Sequence, residues 1–233
     1  MCRIVILSFL TLLMGLALGQ TLDTYSTQRH SMVRTQIKNR GVKHEETLRA
    51  METVPRHLFV PASYRSGAYD DRPLPIGYGQ TISQPYIVAY MTELMKPTKG
   101  MIALEIGTGS GYQAAVLAEI VDQVYTIEIV PQLGRSAESI LKKQGYSNVA
   151  VKIADGYHGW EEIGPFDIIM VTAAADHIPP PLIEQLKEGG RMIIPVGSPF
   201  LVQQLMLVEK KNGKGRTKSL IPVRFVPFTR SVE

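Results

Sequence analysis

A short apolar run that ends in an acid and then breaks into alternating glycines constrains this chain more than any other stretch. In Met101-Ile102-Ala103-Leu104-Glu105-Ile106-Gly107-Thr108-Gly109-Ser110-Gly111-Tyr112 the apolar residues suit a buried strand and the glycines a tight turn. Gln113-Ala114-Ala115-Val116-Leu117-Ala118 behind it reads as a helix. Strand, glycine turn and helix leave a ligand-sized gap at the carboxyl end of a buried strand, where a side chain would block the turn or hold the ligand off the backbone. The turn alone does not name that ligand. Tyr112 stands where the dinucleotide fingerprint needs its third glycine, so Gly107, Gly109 and Gly111 complete only part of that pattern.

The chain on either side organises around this unit. Downstream, strands are predicted over 124–127 ending at Glu128, 149–153 ending at Ala154-Asp155-Gly156, 166–171, 191–195, 203–208 and 219–226. Helices are predicted over 133–144 and 181–187. With the first strand this makes a doubly wound, mostly parallel seven-stranded α/β sheet of Rossmann-like type. Upstream, two short amphipathic helices are expected between His30 and Pro55, punctuated by Gly41. A tyrosine-rich turn segment and a long irregular connection over 75–85 follow, and Pro85 opens a helix to about Met95. Residues 20–97 thus form a helical and site-bearing segment and 98–230 the ligand-binding sheet, in one catalytic unit.

The first nineteen residues read as an export signal. Arg3 supplies the positive start, 4–18 is largely apolar, and Ala17-Leu18-Gly19 suits cleavage before Gln20. The run is short for a membrane span, so no stable membrane association is expected once it is removed. The alternative is a true start at Met32. The single cysteine, Cys2, excludes internal disulfides, cysteine nucleophiles and cysteine-based zinc sites, and the five histidines lack ligand spacing, so no metal is expected. The charge of +4 is concentrated only in 210–218, whose glycines and asparagine suit a solvated hairpin tip, so no nucleic-acid partner is expected either.

Acids at the next two strand ends narrow the ligand. Glu128, followed by Ile129, sits where a carboxylate can accept from both ribose hydroxyls, and Asp155, followed by Gly156, can accept from an adenine amino group. An adenosine satisfies both. NAD would present a pyrophosphate to the turn, whereas S-adenosyl-L-methionine presents a sulfonium and an ammonium. Glu105, just before Gly107 and Thr108, suits the cationic ligand better.

Here a resemblance becomes specific. Glu105 to Tyr112, Gln80-Thr81-Ile82-Ser83-Gln84-Pro85, Asp155-Gly156, Val171-Thr172-Ala173-Ala174, Leu186-Lys187-Glu188-Gly189-Gly190-Arg191 and Val223-Arg224-Phe225-Val226-Pro227 resemble, in order, the protein-L-isoaspartate O-methyltransferase family over 32–230. The N-terminal segment departs from its cytosolic members. The resemblance implies methyl transfer from S-adenosylmethionine to the free α-carboxylate of isoaspartyl residues in damaged proteins and peptides, with the ester then collapsing to a succinimide. It implies Ser83 as the active-site serine, with Thr81 and Ile82 lining the same cleft and Gln80 and Thr229 as weaker candidates. A serine capping the helix that starts near Pro85 is the bland alternative. Arg56 and His57 are candidates for attracting an acidic substrate, and Trp160 for packing near adenine, each against a purely structural role. Competing functions are a methyltransferase for RNA or a small molecule, a nicotinamide-dependent oxidoreductase and a non-catalytic module. A monomer acting in the cytoplasm is expected, with export as the alternative.

Overall fold

The computed structural model describes residues 24–198 and 200–230. The predicted export signal over 1–19 lies outside the described residues. Seven strands form the main sheet: β3 (Ile102–Ile106), β4 (Gln123–Glu128), β5 (Val149–Ile153), β6 (Phe166–Val171), β7 (Leu186–Val196), β8 (Gln203–Lys211) and β9 (Lys214–Val223). Their order is β5-β4-β3-β6-β7-β8-β9. The five strands from β5 to β7 run parallel, and β8 and β9 are antiparallel additions. The order reverses between β3 and β6, so the crevice at their carboxyl ends is where such a sheet binds ligands.

Burial explains the pattern of apolar runs. Parallel strands are covered on both faces, and along β3 Ala103 faces one apolar cluster while Leu104 and Ile106 face the other. The first cluster contains Met32, Ile37 and Met51 from the N-terminal helices as well as Ile168, Met170 and Ile193 from the sheet, so the two segments share one core. Helix α4 (Tyr112–Ala118) is buried almost all round, whereas α5 (Pro131–Lys143) buries only Leu133, Gly134, Ala137 and Leu141, one face of an amphipathic helix.

Several boundaries depart from the sequence reading. The segment over 75–85 is not irregular: β1 (Leu74–Gly77) and β2 (Gln80–Ile82) pair as a small antiparallel hairpin. Its turn places Tyr78 and Gly79 at positive φ, 53° and 71°, and buried Leu74 pairs with buried Ile82. The helix expected over 181–187 is α6 (Pro180–Glu184), because Leu186 already pairs with Phe166 at the start of β7. The basic run closes the β8–β9 hairpin at Asn212-Gly213, both at positive φ, with Glu188 accepting from the Gly213 amide at 3.1 Å.

The N-terminal helices begin earlier than His30. Residues 24–31 form helix α1, which runs directly into the π-helical turn Met32–Ile37. Tyr25 stacks on His57 with ring centroids 4.0 Å apart, and Arg29 donates to the Glu52 carbonyl at the start of a hydrogen-bonded seam. A chain begun at Met32 would lose that cover. Helices α2 (Glu45–Thr53) and α3 (Pro85–Met95) complete the layer. Among the described residues no helix is long and apolar enough to cross a membrane.

Candidate active site

The glycine turn is built from backbone contacts made at close range. Gly107 and Thr108 both donate to the Ile127 carbonyl, at 2.8 and 3.2 Å, so the turn is hung on the end of β4. Gly107 stands at φ 96°, and a Cβ there would lie 2.5 Å from the Thr172 hydroxyl. That hydroxyl donates to the Gly107 carbonyl at 2.7 Å, locking the end of β3 to the residue after β6. At Gly156 a Cβ would lie 2.4 Å from Ile106 Cγ2. Both glycines are required by space, one after β3 and one after β5, on either side of the end of β4.

A cavity of about 550 Å³ opens over these positions, lined by Gly107, Gly109, Glu128, Ile129, Gly156 and Thr172 among others. Val226 to Thr229 and Gln80-Thr81 wall its far side. That strap is tied down by the Ala174 amide donating to Val226 and the Phe228 amide donating to Ala174, each at 2.8 Å. Glu128 accepts from the Gly109 amide through Oε2 at 2.7 Å and from the Val130 amide through Oε1 at 2.9 Å. Each oxygen keeps a further acceptor position for a ligand hydroxyl. Asp155 accepts from the Tyr157 amide at 2.9 Å and from Arg230 Nε at 2.7 Å. Burial pushes its carboxyl up, but those two bonds outweigh it and hold the group below its ordinary value. Neither Asp155 nor Gly111 lines the cavity. Gly111 packs behind the turn, where a Cβ would press on Leu141 and Ala137 at 3.3–3.4 Å.

Glu105 is fully buried beneath the turn. Its Oε2 accepts from the Thr126 hydroxyl at 2.5 Å, and Thr108 and Thr126 hydroxyls lie 2.6 Å apart. When Glu105 is ionised it can only accept, so Thr126 then donates to it and Thr108 to Thr126, a relay of three side chains that ends in the turn. Oε1 has no partner. Burial pushes the carboxyl up to about 8, against which the Thr126 hydrogen bond pulls only weakly.

Ser83 lies between the turn and a second, larger cavity of about 980 Å³. It also lines a small cavity of about 320 Å³ shared with Ile82, Glu105 and Thr108. Thr81 and Thr172 line all three spaces. Ser83 does not cap helix α3: the N-cap residue is Gln84, and the Ser83 side chain bonds to no described residue. Asp71 takes over the task from a distance, accepting from the Tyr86 amide at 3.2 Å and from Gln84 Nε2 at 2.8 Å. Arg224 is the one charged side chain lining the larger cavity, and it has no ion-pair partner among the described residues.

Other candidates fall away from this cleft. Arg56 is fully buried against the Tyr112 ring, and His57 sits under Tyr25, its ring pushed down to about 4 by burial and by Arg29 and Arg65. A neutral, covered histidine and a sealed arginine cannot attract a substrate. Trp160 packs edge-on against Tyr125, outside the cavities. Gln80 and Thr229 line the first cavity. Thr172, Arg224, Val226 and Pro227 stand in segments that carry the family resemblance, but the sequence assigned them no site role, because only the β3–β6 pairing and the Ala174 bridge bring them to the site.

The model of the family described as Protein-L-isoaspartate(D-aspartate) O-methyltransferase (PCMT) matches residues 27–233. The chain belongs to this family. A protein-L-isoaspartate O-methyltransferase of Opitutus terrae is 56% identical over 221 residues, 95% of each chain. One from Syntrophobacter fumaroxidans is 56% identical, covering 96% of this chain and 95% of its own. A solved protein-L-isoaspartate O-methyltransferase superposes with TM-score 0.79 at 32% identity, over 85% of this chain and 65% of that longer one. A Plasmodium falciparum structure of the same family name, in complex with S-adenosyl-L-homocysteine, gives TM-score 0.75 at 27% identity, over 87% and 99% of the two chains.

Within this family site, the buried Glu105 makes a pH prediction. Its folded-state value near 8 lies above the ordinary 4.5, so the folded protein holds a proton that the unfolded chain has released. The resulting stability is complete below the unfolded value and is lost as pH rises through about 8, a cost on the order of a few kcal/mol. Glu105→Gln, which mimics the protonated acid, should therefore melt progressively higher than the unchanged, cofactor-free protein between pH 5 and 8, with the gap constant above that. Calorimetric scans across this range check it, and a gap that does not depend on pH would reject it.

Proposed function

We propose that the chain is a protein-repair methyltransferase that methylates the free α-carboxylate of L-isoaspartyl residues in damaged proteins and peptides, with S-adenosyl-L-methionine as donor. One observation carries the reading most directly. A cavity floored by the glycine turn and a larger cavity bearing an unbonded serine are joined through Thr81 and Thr172.

The residues suit that donor on their own geometry. Gly107 and Gly156 clear space that a Cβ would fill. Glu128 offers two acceptor positions for a ribose, and Ile129 supplies an apolar wall beside it. The unpartnered Oε1 of Glu105 suits the ammonium of the methionine moiety, which would draw off the proton that burial otherwise keeps there. When bound, S-adenosylmethionine supplies a sulfonium methyl group, which a carboxylate oxygen accepts as the sulfur–carbon bond breaks to leave S-adenosylhomocysteine.

The chain's own part is to hold, orient and dry the reactants. A substrate carboxylate with a reference pKa near ~4 is already ionised at neutral pH, so no general base is required. Ser83, free of any structural bond, can donate its hydroxyl to one carboxylate oxygen and leave the other directed at the methyl group. Thr81, at the junction of the cavities, lines the path between them. Arg224 supplies positive potential for an anionic substrate. The 226–228 strap excludes water from the cofactor side.

Labelled S-adenosylmethionine offered with matched isoaspartyl and aspartyl peptides should label only the isoaspartyl one; equal labelling of both, or of neither, rejects the proposal. Ser83→Ala should lower kcat by about 10- to 100-fold, the loss of one orienting hydrogen bond in the reacting geometry, while cofactor affinity stays within about twofold. Titration calorimetry showing lost cofactor affinity instead would reassign Ser83 to the cofactor pocket. We assign the enzyme to the cytoplasm, where its donor is made, with export as the alternative. N-terminal sequencing of native protein from fractionated cells checks this, and mature chains beginning at Gln20 outside the inner membrane would assign it to export.

A further inference from the structure

The larger cavity does not end at its rim. Three consecutive apolar residues project from the loop between β7 and β8 beside it: Phe200 is 91% exposed, Leu201 68% and Val202 52%. Val202 also lines the cavity that holds Ser83, so this patch continues the wall of the site outward. Isolated exposed apolar residues are ordinary; three in sequence at the mouth of a cleft carry a cost in solubility that needs a reason.

The loop presenting them is held in place. Gln203 is 1% exposed and is used up entirely in bracing this corner. Its Nε2 donates to the Ser198 carbonyl at 3.0 Å and to the Leu201 carbonyl at 2.9 Å, while its Oε1 accepts from the Phe225 amide at 2.8 Å. The loop tip and the Arg224-Phe225 wall are thereby fixed to one another through a single buried amide. With its backbone carbonyls turned inward to Gln203, the tip turns its apolar side chains toward solvent. A backbone braced before binding has less entropy to lose when the apolar side chains it carries are covered.

We infer that Phe200 and Leu201 form a subsite for an apolar side chain next to the isoaspartyl residue of the protein substrate. The inference rests on the repair reading and adds a sequence preference to it. The occupant is a segment of substrate chain because the patch is continuous with the cavity that must receive the isoaspartyl carboxylate. That cavity carries the one unpaired cation suited to such a group, Arg224. A peptide whose isoaspartyl carboxylate reaches Ser83 has to leave the cavity over its rim, and Val202 brings that rim to the tip.

The test compares two isoaspartyl peptides alike except for leucine or serine on both sides of the isoaspartyl residue, assayed with the full chain and with the double variant Phe200→Ser, Leu201→Ser. KM for the leucine-flanked peptide should rise about tenfold in the variant with kcat unchanged, as loss of partial apolar burial requires. The serine-flanked peptide should change less than about twofold, and the melting temperature should hold because both side chains are exposed. Equal shifts for both peptides, or no shift for either, overturn the subsite. Loss in the variant of a concentration-dependent dimer, without any peptide effect, gives the patch to a second copy and likewise overturns it. Failure of the unaltered chain to methylate either peptide overturns the repair reading itself, and the subsite with it.

Discussion

The contact on which the site depends is the approach of Gly107 to Thr172 across the gap between β3 and β6. Parallel pairing brings Ile106 opposite Val171, and the chain then has to leave both strands in the same small space. The Thr172 amide continues the ladder to the Ile106 carbonyl at 2.9 Å, and its hydroxyl fills the remaining space and donates at 2.7 Å to the Gly107 carbonyl, which the ladder no longer reaches. The absence of a Cβ at 107 is what permits it. Everything the cleft does follows from this knot: the turn is held away from the cavity centre, Thr172 is exposed to all three spaces, and the residues after β6 are aimed at the strap that closes the far wall.

A second constraint is electrostatic, and it opposes stability. Glu105 is taken out of water beneath the turn with one oxygen bonded and one left without a partner. A glutamine or a leucine there would cost the resting fold less. In the proposed reading the acid is tolerated because the same burial that raises its proton affinity would strengthen the attraction of its ionised form for a cation entering the small cavity beside Ser83. The Thr108–Thr126–Glu105 relay ties that charge to the turn itself. Occupation by a cation and the posture of the loop therefore bear on the same side chain.

How much of this was legible in the residues varies with the range of the forces involved. Local signals carried far: the apolar runs over 149–153 and 166–171 are strands with those bounds, Pro85 opens its helix, and Asn212-Gly213 closes the hairpin expected of the basic run. The β1–β2 pair was hidden because each strand is only three or four residues long, β1 contains Pro75, and the turn at Tyr78-Gly79 has no asparagine. Arg56 and His57 show the opposite failure. Two basic residues before an apolar run look available, yet helix α1, which precedes them by some thirty positions, folds back to cover His57. Thr172 stood in a segment that resembled the family, but nothing local named its role, since a threonine after a strand becomes a junction residue only through its neighbour in the sheet.

Ser83 illustrates how a side chain becomes available for chemistry. A serine just ahead of a proline-started helix would ordinarily be drawn into capping, because the first amides of a helix have no partners within it. Here Asp71, from the turn segment before β1, meets the Tyr86 amide and holds Gln84 by its side-chain amide. Arg40 pairs with Asp71 and also lies 3.5 Å over the Tyr86 ring, so the substitute cap is itself braced from the N-terminal helices. The hydroxyl one residue upstream is left without a structural task and faces the cleft. The N-terminal segment therefore does more than cover one side of the sheet: by supplying the cap from elsewhere in the chain, it leaves the serine of the Thr81-Ile82-Ser83 segment free to meet a substrate.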